Sequence, residues 1–300
     1  MSQQLGYTQY RTMENKDYPG LYQETDEASN KAQNVYLRTI SLYLLLLIGA
    51  AVLSLLMGTS TVLAIIAALI FIVTLFLSIA LAVKRYDKTW YNARAVAESV
   101  KTVTWRYLMH AEPYDGDDTV ARHDFIKDLQ QILEQNKDLA QIFTGEKATK
   151  DAISKEMARI RSLTLKERIS LYLTDRIDEQ RGWYCKKAAL NRRQAMCWFI
   201  LMCMAQAFAL IFVFVRIAKP MWSHLPIDVC IVCAAAALTW IQLKRFQDLS
   251  TAYSLTAHEI SLLREHSQDA SNAAEFSVFV NDAENAFSRE HTQWQARRQT

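Results

Sequence analysis

Two pairs of long uncharged stretches dominate the hydrophobic pattern of the chain. The first pair covers residues 40–83 and is interrupted only by a Gly-Thr-Ser turn at residues 58–60. Its arms, residues 40–57 and 61–83, are each close to the roughly 20 apolar residues that cross a bilayer core. Neither arm has the polar face that a helix on the surface of a soluble core would show. The pattern therefore predicts a transmembrane helical hairpin.

The second pair lies in the other half of the chain. Residues 195–215 form an arm long enough to span, and residues 225–243 form a shorter arm that spans only if its whole length is used. Gly and Pro are scarce, with 7 and 4 residues in a chain of 300, and no alternating strand pattern occurs. We therefore predict an all-α membrane protein with two transmembrane hairpins, four transmembrane helices in all, and long cytosolic stalk helices.

Charged segments with helical periodicity surround the hairpins. The first segment, residues 1–30, is polar and is interrupted at Pro19 and Gly20, a composition typical of a flexible tail. The pattern divides the chain into a cytosolic tail over residues 1–30, a first unit over 31–116 with a stalk over 84–111, a helical segment over 117–163, and a second unit over 164–300 with final helices over 244–298. Because no Gly or Pro follows Lys84 until residue 113, we expect the second membrane helix to continue unbroken into its stalk.

Basic side chains are concentrated at one end of each hairpin. Lys84 and Arg85 follow the first hairpin, and Lys244 and Arg245 follow the second, whereas the turn of the first hairpin carries no basic residue. By the positive-inside rule, both termini and the region between the hairpins face the cytoplasm. The matching tripeptides Lys84-Arg85-Tyr86 and Lys244-Arg245-Phe246 also indicate duplication of one unit, made of a leading helix, a hairpin and a stalk.

No constellation of catalytic side chains is recognisable. Cys230 and Cys233 form a CxxC pair, but it lies inside an apolar helix and has no second pair. Small residues that pack against a neighbouring helix explain it better than a metal or redox site does. The sequence also lacks the phosphate-binding loops and the nucleophile elbow. We therefore expect no enzyme activity, no cofactor and no metal site.

Gln206 and Asp228 are among the polar residues within the apolar arms. Gln206 lies midway along the third arm and Asp228 lies near the outer end of the fourth. Polar groups are costly in lipid, so both are candidate pore-lining residues. For Asp228, a position at the membrane interface is the better explanation. For Gln206, a hydrogen bond to another helix explains the amide equally well.

Three motifs lie outside the hairpins. Their marked residues are Glu98, Trp105, Arg106, Glu112 and Pro113 within residues 97–114, Arg176, Trp183 and Tyr184 within residues 172–191, and Glu284, Glu290, His291 and Trp294 within residues 279–298. In this order around two hairpins, they resemble the SLATT superfamily, in the form that joins two units in one chain. The first unit departs from the pattern because it lacks the Trp-Tyr pair of the second. We expect the marked stalk residues, Trp105, Arg106, Arg176 and Trp183 above all, to hold the cytosolic helices together.

The resemblance implies a function rather than a reaction. The resemblance implies a bacterial membrane effector associated with SMODS and SLOG conflict systems, in which nucleotides carry the signal. It implies an oligomeric protein of the inner membrane that forms a pore or perturbs the bilayer when triggered. A nucleotide-signalling protein is the implied partner, and nucleic acid is not. The alternative is a membrane-anchored scaffold or sensor whose cytosolic helical bundle binds a partner.

Overall fold

The computed structural model describes residues 13–143, 145, 147–222, 224–267 and 272–299, with the side chains of the final helix described as far as residue 288. The helices are α1 Gly20–Met57, α2 Thr61–Lys84, α3 Tyr86–Leu108, α4 Asp118–Gln135, α5 Lys155–Arg161, α6 Leu165–Tyr172, α7 Glu179–Ala218, α8 Ile227–Lys244, α9 Phe246–His266 and α10 Ala273–Gln299. Short 3-10 turns cover Asn15–Asp17 and Lys137–Ile142, and a π-helical turn covers Leu173–Asp178. The part of the chain that is described contains no strand, which confirms the all-α fold class.

The chain divides into two compact units. One, called the bundle unit here, comprises the described parts of Met1–Lys31, Lys88–Trp183 and Thr256–Thr300. The other, the hairpin unit, comprises Ala32–Asp87 and Tyr184–Leu255. Each unit has its own packing.

The hairpin unit contains the apolar arms. Four helices of the described chain are long and apolar enough to cross a membrane, and almost none of the residues in their apolar stretches are buried. The first turn follows from its sequence. Gly58 adopts a left-handed conformation with φ 47°, and the Ser60 hydroxyl accepts a hydrogen bond from the Leu63 amide at the start of α2. The sequence places the turn between residues 57 and 61, and in the structure α1 ends at Met57 and α2 begins at Thr61.

The exit from each hairpin is broken at one residue, which corrects the expectation of an unbroken stalk. Arg85 separates α2 from α3 with φ 44°, and Arg245 separates α8 from α9 with φ 47°. A left-handed conformation costs a residue other than glycine about 1–2 kcal/mol. Each arginine also forms an ion pair with a nearby aspartate, to Asp87 at 3.4 Å and to Asp248 at 2.8 Å. The same break at equivalent positions agrees with duplication of one unit.

The expected flexible tail is wrong for residues 13–30. Here α1 begins at Gly20, and the carbonyl of Pro19 accepts a hydrogen bond from the Gln23 amide at 3.3 Å. Proline is tolerated at a helix start because the amide hydrogen that it lacks would have no partner there. The Pro-Gly pair therefore begins a helix rather than interrupting the chain. Residues 1–12 lie outside the described residues.

The first turns of α1 belong to the core of the bundle unit. Tyr18, Tyr22, Thr25 and Ser29 follow one another at helical spacing, and all four are buried. The Ser29 hydroxyl donates a hydrogen bond to the carbonyl of Trp90 on α3 at 3.1 Å. This buried face explains why the segment is ordered despite its polar composition.

The final helix, α10, folds back along α3. Its Asn285 side chain accepts a hydrogen bond from Arg106 at 2.6 Å, and its Ser277 hydroxyl accepts one from the Glu112 amide at 3.0 Å. Phe276, Val280, Ala283 and Phe287 present a buried face of α10 to the bundle unit. This packing brings Glu284, on the same helix, into the core.

Candidate functional site

The centre of the bundle unit is a fully buried ion pair between Arg176 and Glu284. Their side chains are 2% and 0% exposed. The guanidinium donates through Nε to Oε1 at 2.8 Å and through Nη2 to Oε2 at 2.7 Å, which is a bidentate geometry. The hydroxyl of Tyr172 donates a third hydrogen bond to Oε1 at 3.0 Å. The carboxylate of Glu284 therefore has a partner on each oxygen.

Burial and charge act in opposite directions on the pKa of Arg176. Burial alone would lower the pKa of the Arg176 guanidinium, but the Glu284 carboxylate more than offsets it, and the pKa lies above its ordinary value. Burial raises the pKa of Tyr172, and the negative charge of Glu284 raises it further. Arg176 therefore stays charged and Tyr172 stays a neutral donor at physiological pH.

The π-helical turn positions the guanidinium of Arg176. Arg176 lies within Leu173–Asp178, between α6 and α7, and Tyr172 is the last residue of α6. A π-helical turn inserts an extra residue into a helix and is frequent at functional sites. Through this turn, Tyr172 and Arg176 both reach Glu284 on α10.

Aromatic rings enclose the ion pair. The Trp105 side chain, 1% exposed, donates from its indole nitrogen to the Tyr18 hydroxyl at 2.9 Å. Its ring meets the Tyr172 ring edge-on with centroids 5.7 Å apart. The Arg176 guanidinium lies 4.8 Å from the centroid of Phe287. Because burial raises the pKa of Tyr18, this hydroxyl also remains neutral.

The arrangement joins four segments that are distant in sequence. Inside a closed core, the Arg176–Glu284 pair neutralises its own charge, and its hydrogen bonds join these segments. Within the described ranges, no three His, Cys, Asp or Glu residues are grouped to hold a metal ion.

The other marked stalk residues occupy different environments. Glu98 forms an ion pair with Arg94 at 2.6 Å, and Glu112 and Pro113 are exposed in the turn after α3. Trp183 is 37% exposed, so it is less enclosed than Trp105. Tyr184, in the hairpin unit, is buried and its ring centroid lies 5.7 Å from that of Tyr253. The side chains of Glu290, His291 and Trp294 lie outside the described residues.

Sequence reasoning missed Tyr18, because it lies in the segment expected to be flexible. A signal was present: Tyr18, Tyr22, Thr25 and Ser29 have the spacing of one helical face. Ser277 and Asn285 were also missed. They are ordinary polar residues. Their partners, Arg106 and Glu112, lie on the other side of the second hairpin, 179 and 165 residues earlier, so no local pattern indicates the contact.

The two candidate pore residues are exposed, in different parts of the hairpin unit. Gln206 is exposed along α7. Asp228 lies in the first turn of α8 and lines a cavity of about 500 Å³. That cavity is lined mainly by the last turns of α1 and by the residues around the start of α8, and it includes Ser54, Arg216 and His224. Gln206 is not part of its lining.

Comparison with known families matches both halves of the chain. The model described as SMODS and SLOG-associating 2TM effector domain 3 matches residues 19–169, and the model described as SMODS and SLOG-associating 2TM effector domain 1 matches residues 172–294. The first match includes residues 20–30 and 117–163, which the sequence interpretation placed outside the first unit. No curated protein and no solved structure matches the chain. The chain belongs to the SLATT family, as two 2TM effector domains in tandem, and is a membrane effector of the type found in conflict systems.

Proposed function

We propose that this protein is a non-enzymatic, oligomeric effector that forms a pore in the bacterial inner membrane, or otherwise perturbs it, when a nucleotide-signalling partner triggers it. The observation that carries the proposal is the exposure of Gln206 on an apolar helix. No hydrogen bond of its amide is found among the described residues. An amide facing hydrocarbon without a partner is costly. A second copy of the chain, or water in a pore between copies, removes that cost.

Several chains are needed for conduction. The backbone of a transmembrane helix satisfies its own hydrogen bonds, so a water path must be lined by polar side chains. One chain supplies four such helices, which normally pack shut. In an oligomer, Gln206 from each copy lines the path, and Asp228 lies near its outer mouth. The buried Arg176–Glu284 core gives the bundle unit the rigidity to transmit a trigger.

We expect Gln206→Leu to reduce ion flux about tenfold, because a polar contact between membrane helices contributes about 1–2 kcal/mol. Flux is measured by dye release and ion-sensitive fluorescence in liposomes that contain the full chain. Gln242→Leu is the matched control, since it removes an exposed amide two residues before the basic end of α8, where water replaces the lost contact.

Wild-type flux from the Gln206→Leu liposomes would exclude this residue from the conduction path. A strictly monomeric protein in native-like lipid would remove the pore mechanism. Absence of flux from the triggered wild type, together with capture of a signalling protein by the bundle unit, would favour the alternative of a membrane-anchored scaffold or sensor.

The proposed orientation places both termini and residues 84–194 in the cytoplasm, because the basic residues flank those segments. Reporter fusions at Gly145 and after residue 299 are expected to give cytoplasmic signals, and a fusion in the turn at residue 59 an external one. Gly145 lies in a loop with φ 72°, which suits an insertion. An external signal from either of the first two fusions would refute the orientation.

A further inference from the structure

The cavity of about 500 Å³ in the hairpin unit lies at the end away from the basic residues Lys84 and Lys244. It is lined by the last turns of α1, by Arg216 near the end of α7 and by the start of α8. Pockets that bind small molecules have volumes of roughly 300–1,000 Å³. The cavity is therefore large enough for part of a ligand rather than for a single water molecule.

Two charged residues of the lining indicate the depth of the cavity in the membrane. Arg216 is the first charged residue after the uncharged stretch 195–215, and Asp228 is the last one before the uncharged stretch 229–243. A helix that crosses a bilayer has its first charged residues where the hydrocarbon core ends. The cavity therefore lies at the depth of the phospholipid headgroups.

The lining contains both signs of charge. The Arg216 guanidinium and the Asp228 carboxylate belong to the same cavity, and within the described residues Asp228 has no ion pair. A carboxylate only accepts hydrogen bonds, whereas a guanidinium has five N–H donors, so Arg216 can bind an anionic group in addition to its other contacts. A ligand with one anionic and one cationic group therefore matches the lining better than a simple anion does.

Much of the remaining lining is apolar. It includes Leu55, Met57, Ile227 and Val229. Leu56, which lies between two of these residues on α1, is 63% exposed, so the cavity adjoins the exposed apolar surface of a membrane-crossing helix. A ligand that is part zwitterion and part hydrocarbon suits both kinds of lining, because its charged groups meet charged partners and its apolar part stays out of water. A phospholipid has this composition.

We propose that this cavity binds the headgroup of a phospholipid with a primary ammonium, such as phosphatidylethanolamine. Arg216 binds the phosphate, the Asp228 carboxylate accepts hydrogen bonds from the ammonium, and the apolar lining contacts the upper acyl carbons. The quaternary ammonium of phosphatidylcholine has no N–H to donate to Asp228. Phosphatidylglycerol has no cation and leaves this carboxylate unpaired near a phosphate. The site is independent of the pore proposed above, because lipid binding requires neither several chains nor ion flux.

Native mass spectrometry of the detergent-solubilised full chain tests the site by titration with phosphatidylethanolamine, phosphatidylcholine or phosphatidylglycerol of the same acyl chains. We expect phosphatidylethanolamine to bind about tenfold more tightly than the other two lipids, as one hydrogen bond to a charged group provides. Asp228→Asn should remove this preference. Arg216→Gln should weaken the binding of all three lipids about tenfold, since each of them carries the phosphate.

Three further variants separate the cavity from a general effect of charge. Ser54→Phe fills the cavity without changing its charges and should weaken the binding of all three lipids. Asp248→Asn and Lys219→Gln each remove an exposed charge outside the lining and should leave both affinity and preference unchanged.

Four results would overturn the proposal. Equal affinities of the three lipids, or a preference for phosphatidylethanolamine that persists in Asp228→Asn, would remove the paired-charge site. Wild-type binding by Ser54→Phe would place the lipid outside the cavity, and this variant decides the matter if Asp228→Asn does not fold. Loss of the preference in Asp248→Asn would indicate a general effect of charge. Displacement of bound lipid by an equal concentration of soluble phosphoethanolamine would indicate a site for a soluble zwitterion instead.

Discussion

Glu284→Gln is expected to lower the free energy of unfolding of the bundle unit by about 3–5 kcal/mol. The side chain keeps its size but loses its charge, and Arg176 is then left as a buried cation without a counterion. Because Arg176 is fully enclosed, water cannot replace the missing carboxylate. Chemical unfolding in detergent, followed by the fluorescence of buried tryptophan, measures the loss.

Two further variants show whether burial is the cause. Arg176→Met/Glu284→Leu replaces the pair by apolar residues of similar volume and should recover much of the loss, because no uncompensated charge remains. Asp178→Asn breaks the bidentate but partly exposed pair with Arg264, whose atoms lie 2.6 and 2.9 Å apart, and should cost less than about 1 kcal/mol. Equal effects of Glu284→Gln and Asp178→Asn would show that the Arg176–Glu284 pair is not closed to solvent.

Trp105→Ala is expected to destabilise the bundle unit by about 3–5 kcal/mol, since it empties a large buried volume between Tyr18 and Tyr172. It also leaves the Tyr18 hydroxyl without its donor. The melting temperature in detergent should fall accordingly. Trp105→Phe keeps most of the ring volume and loses mainly the hydrogen bond, so it should cost only about 1–3 kcal/mol.

Trp183→Ala is the matched control, because this ring is 37% exposed. Its loss should be clearly smaller than that of Trp105→Ala. An unchanged melting temperature in Trp105→Ala would contradict the burial of this ring. Similar losses at the two positions would mean that Trp183 is covered by a partner in the assembled protein.

The hairpins could be predicted from the sequence because their signal is local and strong. Length and the lack of charge define an arm without reference to anything else in the chain, and the Gly-Thr-Ser turn gives its end to within a residue. The helical class follows for the same reason. Phe276, Val280 and Phe287 also have the helical spacing of a buried face, so the sequence carries a local signal for the buried side of α10.

Other features could not be predicted, for physical reasons that differ from one to the next. The break at Arg85 is one backbone torsion in a residue that normally continues a helix, and neither Gly nor Pro marks it. A proline such as Pro19 is compatible with either a break in the chain or the start of a helix. The burial of Tyr18 and Tyr22 in the structure favours the helix start. Arg176 and Glu284 were both marked in the motifs, but no local pattern indicates that they form an ion pair with each other.

The separation of these partners has a consequence for biosynthesis. Glu284 follows Arg176 by 108 residues, and the whole second hairpin lies between them. At about 5–20 residues per second, a ribosome needs roughly 5–20 s to pass from one to the other. Throughout that interval Arg176 has no carboxylate with which to pair in the core. The core of the bundle unit is therefore completed only after both hairpins have been translated. A nascent chain that stalls earlier carries membrane helices but lacks the Arg176–Glu284 ion pair.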